Sequence, residues 1–255
     1  MRWPRRWSRG RSRPHRLPCR VPPVGHGLRS GERRAHRSDG VGWSISEARA
    51  TTNPRVAPMH ELILASTSPY RRRMLKDAGL LVRSEAPGVD EDAPDEMTDV
   101  VALVEHLALR KARAVSDRFP GAWVIGADQL AHDRDRPGEA IGKPPDPSVH
   151  LERLAAMRGR SHVLVTGFAV ITPGQVHVSH EQTVMHVRAD LTDEELAAYV
   201  ATGEGSGCAA GYAVEGRGAF LFDRIEGDFF NVMGLPLLTI LGVLRELGWR
   251  FGDGL

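Results

Sequence analysis

The stretch Leu62-Ile-Leu-Ala-Ser66-Thr-Ser68-Pro69-Tyr70-Arg71-Arg72-Arg73 sets an apolar run, a hydroxyl-bearing turn and three arginines in succession. If the run is a strand and Pro69 opens a helix, the free N–H groups of the first turn, the Ser66 and Ser68 hydroxyls and a guanidinium meet where an anion would sit. That chemistry is phosphate binding; the plainer reading is that Ser68 caps the helix and the arginines are solvated. A second stretch, Val124-Ile-Gly126-Ala127-Asp128-Gln129, is expected to send a carboxylate out of the C-terminal end of a buried strand, where ligands bind in open α/β sheets. Asp128 there either holds a divalent cation, accepts a proton from water, or merely ends the strand in a turn. Downstream, Ile141-Gly142-Lys143-Pro144 places a compact cation on a loop, suited to charge building on a phosphoryl group. Lys111, within Leu109-Arg-Lys111-Ala-Arg113, reads by itself as an exposed helix charge, and Glu91, within Asp90-Glu91-Asp92, as part of a solubilising acidic loop.

These residues need elements to hold them. Strands are expected at 61–65, 81–86 and 123–127. Helices are expected at 69–78, closed by Gly79, and at 99–119, capped by Thr98 and carrying the stripe Val100, Val104, Leu107, Ala108, Ala112 and Val115. Asp146-Pro147 starts a helix to Arg158 that Gly159 stops. Residues 162–171 and 175–188 flank Pro173-Gly174 as a long antiparallel hairpin. Thr192 and Glu195 form a capping box for a helix ending before Gly203. A glycine-rich strand pair at 211–215 and 218–222 follows, and then a helix started by Pro236 with Leu237, Ile240, Leu241 and Leu244 on one face. Alternating elements of this kind specify the α/β class, a mixed sheet with helices packed on it.

The net charge of +2 conceals an asymmetry. Residues 1–58 carry 14 Arg, no Lys and 3 acidic residues, or +11, against 20 basic and 29 acidic residues, or −9, over 59–255. The first 58 residues, rich in Arg, Pro, Gly and Ser with nothing to bury, are expected to be disordered. They read as a basic arm, a transit leader or an over-called translation start before Met59. A body of −9 argues against nucleic acid as partner. No apolar run is long enough for a membrane span and no h-region marks a secretory signal, so a cytoplasmic protein is expected. Cys19 and Cys208 support no disulfide framework. His150, His162, His177, His180 and His186 lack HExxH-type spacing and read as structural, and no Rossmann fingerprint is present.

Taken together and in order, these blocks resemble the Maf family across about 61–248. Beyond the opening stretch the similarity includes Ala108-Leu-Arg-Lys111-Ala, Gly126-Ala-Asp128, Gly142-Lys143-Pro144 and Thr166-Gly167. It extends through Ala210-Gly-Tyr-Ala-Val-Glu215-Gly-Arg-Gly218, Ile225-Glu-Gly-Asp228 and Asn231-Val-Met-Gly234-Leu-Pro236. Any one block is weak; so many separated ones are specific. The resemblance implies an elongated, mixed, twisted sheet with flanking helices, in two lobes around a cleft, as in the inosine-triphosphate pyrophosphatases, and commonly a homodimer. It implies metal-dependent hydrolysis of a nucleoside triphosphate to the monophosphate and pyrophosphate, with Mg²⁺ or Mn²⁺ as cofactor. Asp128 would be the catalytic proton acceptor and, with Glu91, the metal ligand; Ser66, Arg71, Lys111 and Lys143 would line the phosphate region.

Members that resemble dTTP and UTP pyrophosphatases carry Arg after Ser-Pro, Thr after the catalytic Asp and Gln before the later Gly. Here those positions are Tyr70, Gln129 and Glu215, the combination of the 7-methyl-GTP subfamily. An aromatic face with a carboxylate suits the flat cation that N7-methylation makes of guanine. In the other direction, Gly211-Tyr212-Ala213 and Gly227-Asp228 resemble the pyrimidine-nucleotide members. The alternatives are therefore a dTTP/UTP pyrophosphatase, or a nucleotide-binding regulator of septum formation, which would not need Asp128 together with Lys143.

Overall fold

The computed structural model describes residues 60–90, 99–250 and 252. The expectations for residues 1–58 and for Glu91 lie outside them; the expected Thr98 cap is corrected, because the residue that caps that helix is Asp99. Strand β1 (Leu62–Ala65) is buried on both faces, as its unbroken apolar run requires. Helix α1 (Pro69–Asp77) starts where the Ser68 hydroxyl accepts from the Arg71 amide and Pro69 pre-sets φ, and Gly79 at φ 83° follows its last turn. After β2 (Val82–Ser84) comes α2 (Val100–Ser116), whose start is capped by Asp99, its side chain accepting from the Val101 amide.

Strand β3 (Trp123–Asp133) is twice the expected length, and β4 (Arg136–Ile141), absent from the sequence reading, turns back along it. Helix α3 (Pro147–Met157) has the predicted Asp146 cap and Pro147 start. The hairpin β5 (Ser161–Ile171) and β6 (Val176–Val187) is as expected, and so is the Thr192–Glu195 capping box of α4 (Asp193–Ala201). The predicted strand pair at 211–215 and 218–222 does not form. Positive φ at Gly203, Gly205 and Gly211 curls that segment into turns, a 3-10 turn follows at Arg217–Leu221, and only β7 (Phe222–Glu226) is a strand. A short α5 (Phe229–Val232) precedes α6 (Leu237–Glu246), which buries Leu237, Ile240, Val243 and Leu244.

The seven strands form one mixed sheet in the order β2-β1-β3-β5-β6-β7, with β4 also on β3; β1 is parallel to β2 and β3, and the other pairs are antiparallel. Alternation along β1 and β3 divides the core. Leu62, Leu64, Ile125 and Ala127 pack with α1 and α6, while Ile63, Ala65 and Val124 pack with Ala112 and Val115 of α2. Further along the sheet, Leu164 and Met185 pack with Leu154 of α3 and with Leu196 and Tyr199 of α4. Helix α2 lies unusually close to the sheet because two glycines sit under it. A Cβ at Gly126 would stand 2.4 Å from the Ala108 oxygen, and one at Gly167 2.3 Å from the Val104 carbonyl carbon. No helix of the described residues is long and apolar enough to cross a membrane.

Candidate active site

A gap in the sheet builds the site. Strand β1 stops at Ala65, opposite Gly126 of β3, and β4 joins the same edge of β3 only at Ala131. Residues 127–130 are thus held by β5 on one side while their other edge opens on a cleft of about 600 Å³. The expectation that Asp128 ends a strand is therefore corrected. It sits mid-strand, opposite Gly167, and gains access because its neighbour β1 ends two residues earlier.

On the α2 face of that gap, Lys111 Nζ lies 2.6 Å from Asp128 Oδ1. Both residues are buried, at 5% and 8% exposure, yet both line the cleft. The plain reading of Lys111 as an exposed charge is overturned. It falls on the same stripe as Val104, Ala108 and Val115, seven residues after Val104, so its Cβ faces the sheet. The thin layer over Gly126 and Gly167 lets a lysine reach the strand there. A buried pair of this kind gains its Coulomb energy only while both partners remain, and removing one leaves an uncompensated charge at a cost of roughly 3–5 kcal/mol.

Strand alternation puts Gln129 on the opposite face. Its amide nitrogen donates to the Thr166 hydroxyl (3.0 Å) and to the Asn231 carbonyl (2.7 Å). Because a carbonyl only accepts, the amide cannot be flipped, and its oxygen is the group left to the cleft. Asn231 is fully buried and donates from Nδ2 to Thr183 Oγ1 and to the carbonyls of Leu164 and Glu181. It thereby anchors α5 beneath Gln129, a role that the sequence reading did not assign.

Of the three arginines of α1 only Arg71 turns inward; Arg72 and Arg73 are exposed. Arg71 donates from Nε to the Gly234 carbonyl (2.7 Å), and from Nη1 to the Ala127 carbonyl (2.8 Å) and the Ser66 hydroxyl (3.4 Å). It satisfies a β3 carbonyl that the missing strand leaves unpaired, and it ties α1 to the turn before α6. Ser66, itself buried, also accepts from the Ser68 amide at 3.2 Å. The plainer reading of this turn holds for the Ser68 cap and for the exposed Arg72 and Arg73, while Ser66 and Arg71 line the cleft.

The same cleft is lined by Tyr70 of α1, 44% exposed, by Cys208 and Glu215 from the 203–218 turns, and by the exposed Lys143. The neighbouring Cys208 sulfur, then burial, then the carboxylates of Glu215 and Glu204 raise the Tyr70 hydroxyl above its ordinary value, so it stays protonated. Burial and Glu215 push the Cys208 thiol up to about 11, against the pull of Lys143. Tyr70 is thus neither packed in the core nor remote from Glu215, and Cys208, which sequence reasoning passed over as a lone cysteine, lines the same cleft.

The family profile described as Maf-like protein matches residues 61–247, nearly all of the described chain. The chain belongs to the Maf family. Among curated Maf relatives, a dTTP/UTP pyrophosphatase of Symbiobacterium thermophilum is 42% identical over 77% of this chain and 98% of its own. A 7-methyl-GTP pyrophosphatase of Rhizobium johnstonii is 41% identical over 74% of this chain and 96% of its own. A solved structure of the Staphylococcus aureus Ham1 protein is also similar, at a TM-score of 0.38 and 16% identity over 51% of this chain and 72% of that one, too slight a likeness to build on. Within the Maf family profile fall all the cleft residues described above.

Proposed function

We propose that this Maf protein hydrolyses 7-methyl-GTP, among nucleoside triphosphates, to the monophosphate and pyrophosphate. Membership of a family whose relatives are nucleotide pyrophosphatases makes the chain a hydrolase of phosphoanhydride bonds. The observation that carries the reading is the polarity of the cleft. Asp128, Lys111 and Arg71 form one group in its lining, and the Tyr70 ring with the Glu215 carboxylate forms another. A polyphosphate fits the first and a flat cationic base the second.

In this mechanism Asp128 takes the proton of a water that attacks the α-phosphorus in line. The bond from that phosphorus to the oxygen bridging it to the β-phosphorus breaks, and pyrophosphate leaves with the electron pair. Lys111 holds one oxygen of Asp128 in place, and Lys143 and Arg71 offset charge on the phosphate oxygens; positioned charges of this type supply about 3–4 kcal/mol each. Among the described residues no three His, Cys, Asp or Glu side chains converge. The donor chemistry nonetheless fits Mg²⁺ or Mn²⁺, which bind through one or two carboxylates together with substrate phosphates. Asp128 would hold the ion, with Glu91 as the expected second ligand, and the ion when bound would supply further charge neutralisation.

The competing substrates are dTTP and UTP, favoured by the name of the Symbiobacterium relative; one percentage point of identity between the two relatives does not choose. The residue chemistry at Tyr70, Gln129 and Glu215 supports the methylated purine. Pyrophosphate release from 7-methyl-GTP, GTP, dTTP and UTP with Mg²⁺ or Mn²⁺ tests this. The highest kcat/KM is expected for 7-methyl-GTP. Preference for dTTP and UTP reverses the base assignment, and no release from any of them overturns the activity.

A further inference from the structure

One helix reaches both the turns that carry Glu215 and the loop that carries Lys143. The wall that carries Cys208 and Glu215 is made of turns, and three successive residues in it are hung from buried side chains of three elements. His150 of α3 bonds the Gly211 carbonyl through Nε2 (2.5 Å), His162 of β5 bonds the Tyr212 hydroxyl (2.6 Å), and the Tyr199 hydroxyl of α4 accepts from the Ala213 amide (3.1 Å). A carbonyl only accepts, so the His150 ring is the donor. The approach depends on glycine, because Gly211 has φ 81° and a Cβ there would stand 3.0 Å from His150 Nε2. One helical turn further along α3, Arg153 donates from Nη1 to the Gly142 carbonyl (2.7 Å), adjacent to Lys143. The start of α3 is itself pinned, by the Asp146 side chain on the Val149 amide (2.9 Å) and by Pro147.

We propose that α3 is a two-armed bracket in which His150 and Arg153 are positioning residues with separate tasks, an inference that rests on the nucleotide reading of the cleft. His150 sets the height of the wall that bears Glu215 against the base. Arg153 sets the loop that brings Lys143 to the phosphates. Neither touches substrate; each acts through one backbone carbonyl.

The test is steady-state kinetics of the full chain on 7-methyl-GTP and UTP, with thermal unfolding of every variant. His150→Leu is expected to raise KM for the preferred nucleotide about tenfold and to shrink the preference by a similar factor, with kcat within about twofold. His150→Gln, whose amide can still donate, should recover most of that preference. Arg153→Ala should lower kcat about fivefold and leave the preference intact. The bracket is overturned if folded His150→Leu keeps both KM and preference, or if Arg153→Ala leaves kcat unchanged. Should His150→Leu not fold, Arg153→Ala, altered on the helix surface, decides alone. A wild-type protein that releases no pyrophosphate refutes the nucleotide reading instead, a result distinct from an active wild type with unaltered variants.

Discussion

The two sides of the cleft are held in place by different means. On the β3 side the Lys111–Asp128 pair depends on backbone packed against backbone, helix α2 lying over Gly126 and Gly167 with no room for a methyl group. On the 203–218 side, turns are suspended from the side chains of His150, His162, Tyr199 and Glu204, the last accepting from the Gly218 amide at 2.8 Å. Close-packed backbone cannot be adjusted by small substitutions, which suits groups that must meet phosphate and water to within a fraction of an ångström. A wall hung on side chains can shift when one hook changes. That would suit the part of the site proposed to meet the base.

If the β3 side carries the chemistry, Asp128→Asn should lower kcat by about three orders of magnitude or more while circular dichroism keeps its wild-type form, with stability reduced by up to roughly 3–5 kcal/mol because Lys111 loses its buried counter-charge. Near-normal turnover in that variant would remove Asp128 from its role and the contrast with it. A glycine pair tests the packing itself. Gly126→Ala drives a methyl into the Ala108 and Ala112 backbone at 2.4 and 2.8 Å, whereas Gly207→Ala, on the other wall, meets nothing within 4 Å. The first is expected to cost about 1–3 kcal/mol in urea unfolding and at least about tenfold in kcat, the second less than about 0.5 kcal/mol. Equal losses at the two positions would erase the distinction.

Around the proposed base site, Glu215→Gln on the suspended wall and Tyr70→Ala on α1 should each reduce the ratio of kcat/KM for 7-methyl-GTP over UTP by about tenfold, with smaller changes in kcat. A ratio that does not move places base recognition elsewhere.

The smallest effect concerns pH. Burial lowers His162 from 6.5 to about 4, and its Nδ1 has no partner. A depressed folded value means that the unfolded chain binds the proton first, so the stability from neutral His162 is complete above about pH 6.5 and is lost as pH falls toward 4. Between pH 8 and pH 5 the loss attributable to this group is about 2 kcal/mol. Denaturant titrations of the wild type and His162→Phe at the two pH values measure it. An identical pH slope in the two proteins would show that His162 does not link this wall to protonation.

Much of the scaffold was legible locally. The Ser68, Asp146 and Thr192 caps, the Pro173-Gly174 hairpin and the apolar stripe of α2 depend on residues within a few positions of one another, and such interactions are written in the spacing. The glycine-rich segment misled because glycines fit a strand pattern and a run of turns equally well until partners are known. Here the partners are side chains tens of residues away, such as His150 beneath Gly211.

The sequence alone determined which residues carry charge, hydroxyl and aromatic groups, and in what order. Only the tertiary structure decided that Lys111 is buried against Asp128, that Arg71 alone turns inward, and that Asp128 is reached through a gap left where β1 stops. Each depends on distances between segments far apart in the chain. Those distances are set by how closely helix and sheet pack, which no local pattern of residues encodes.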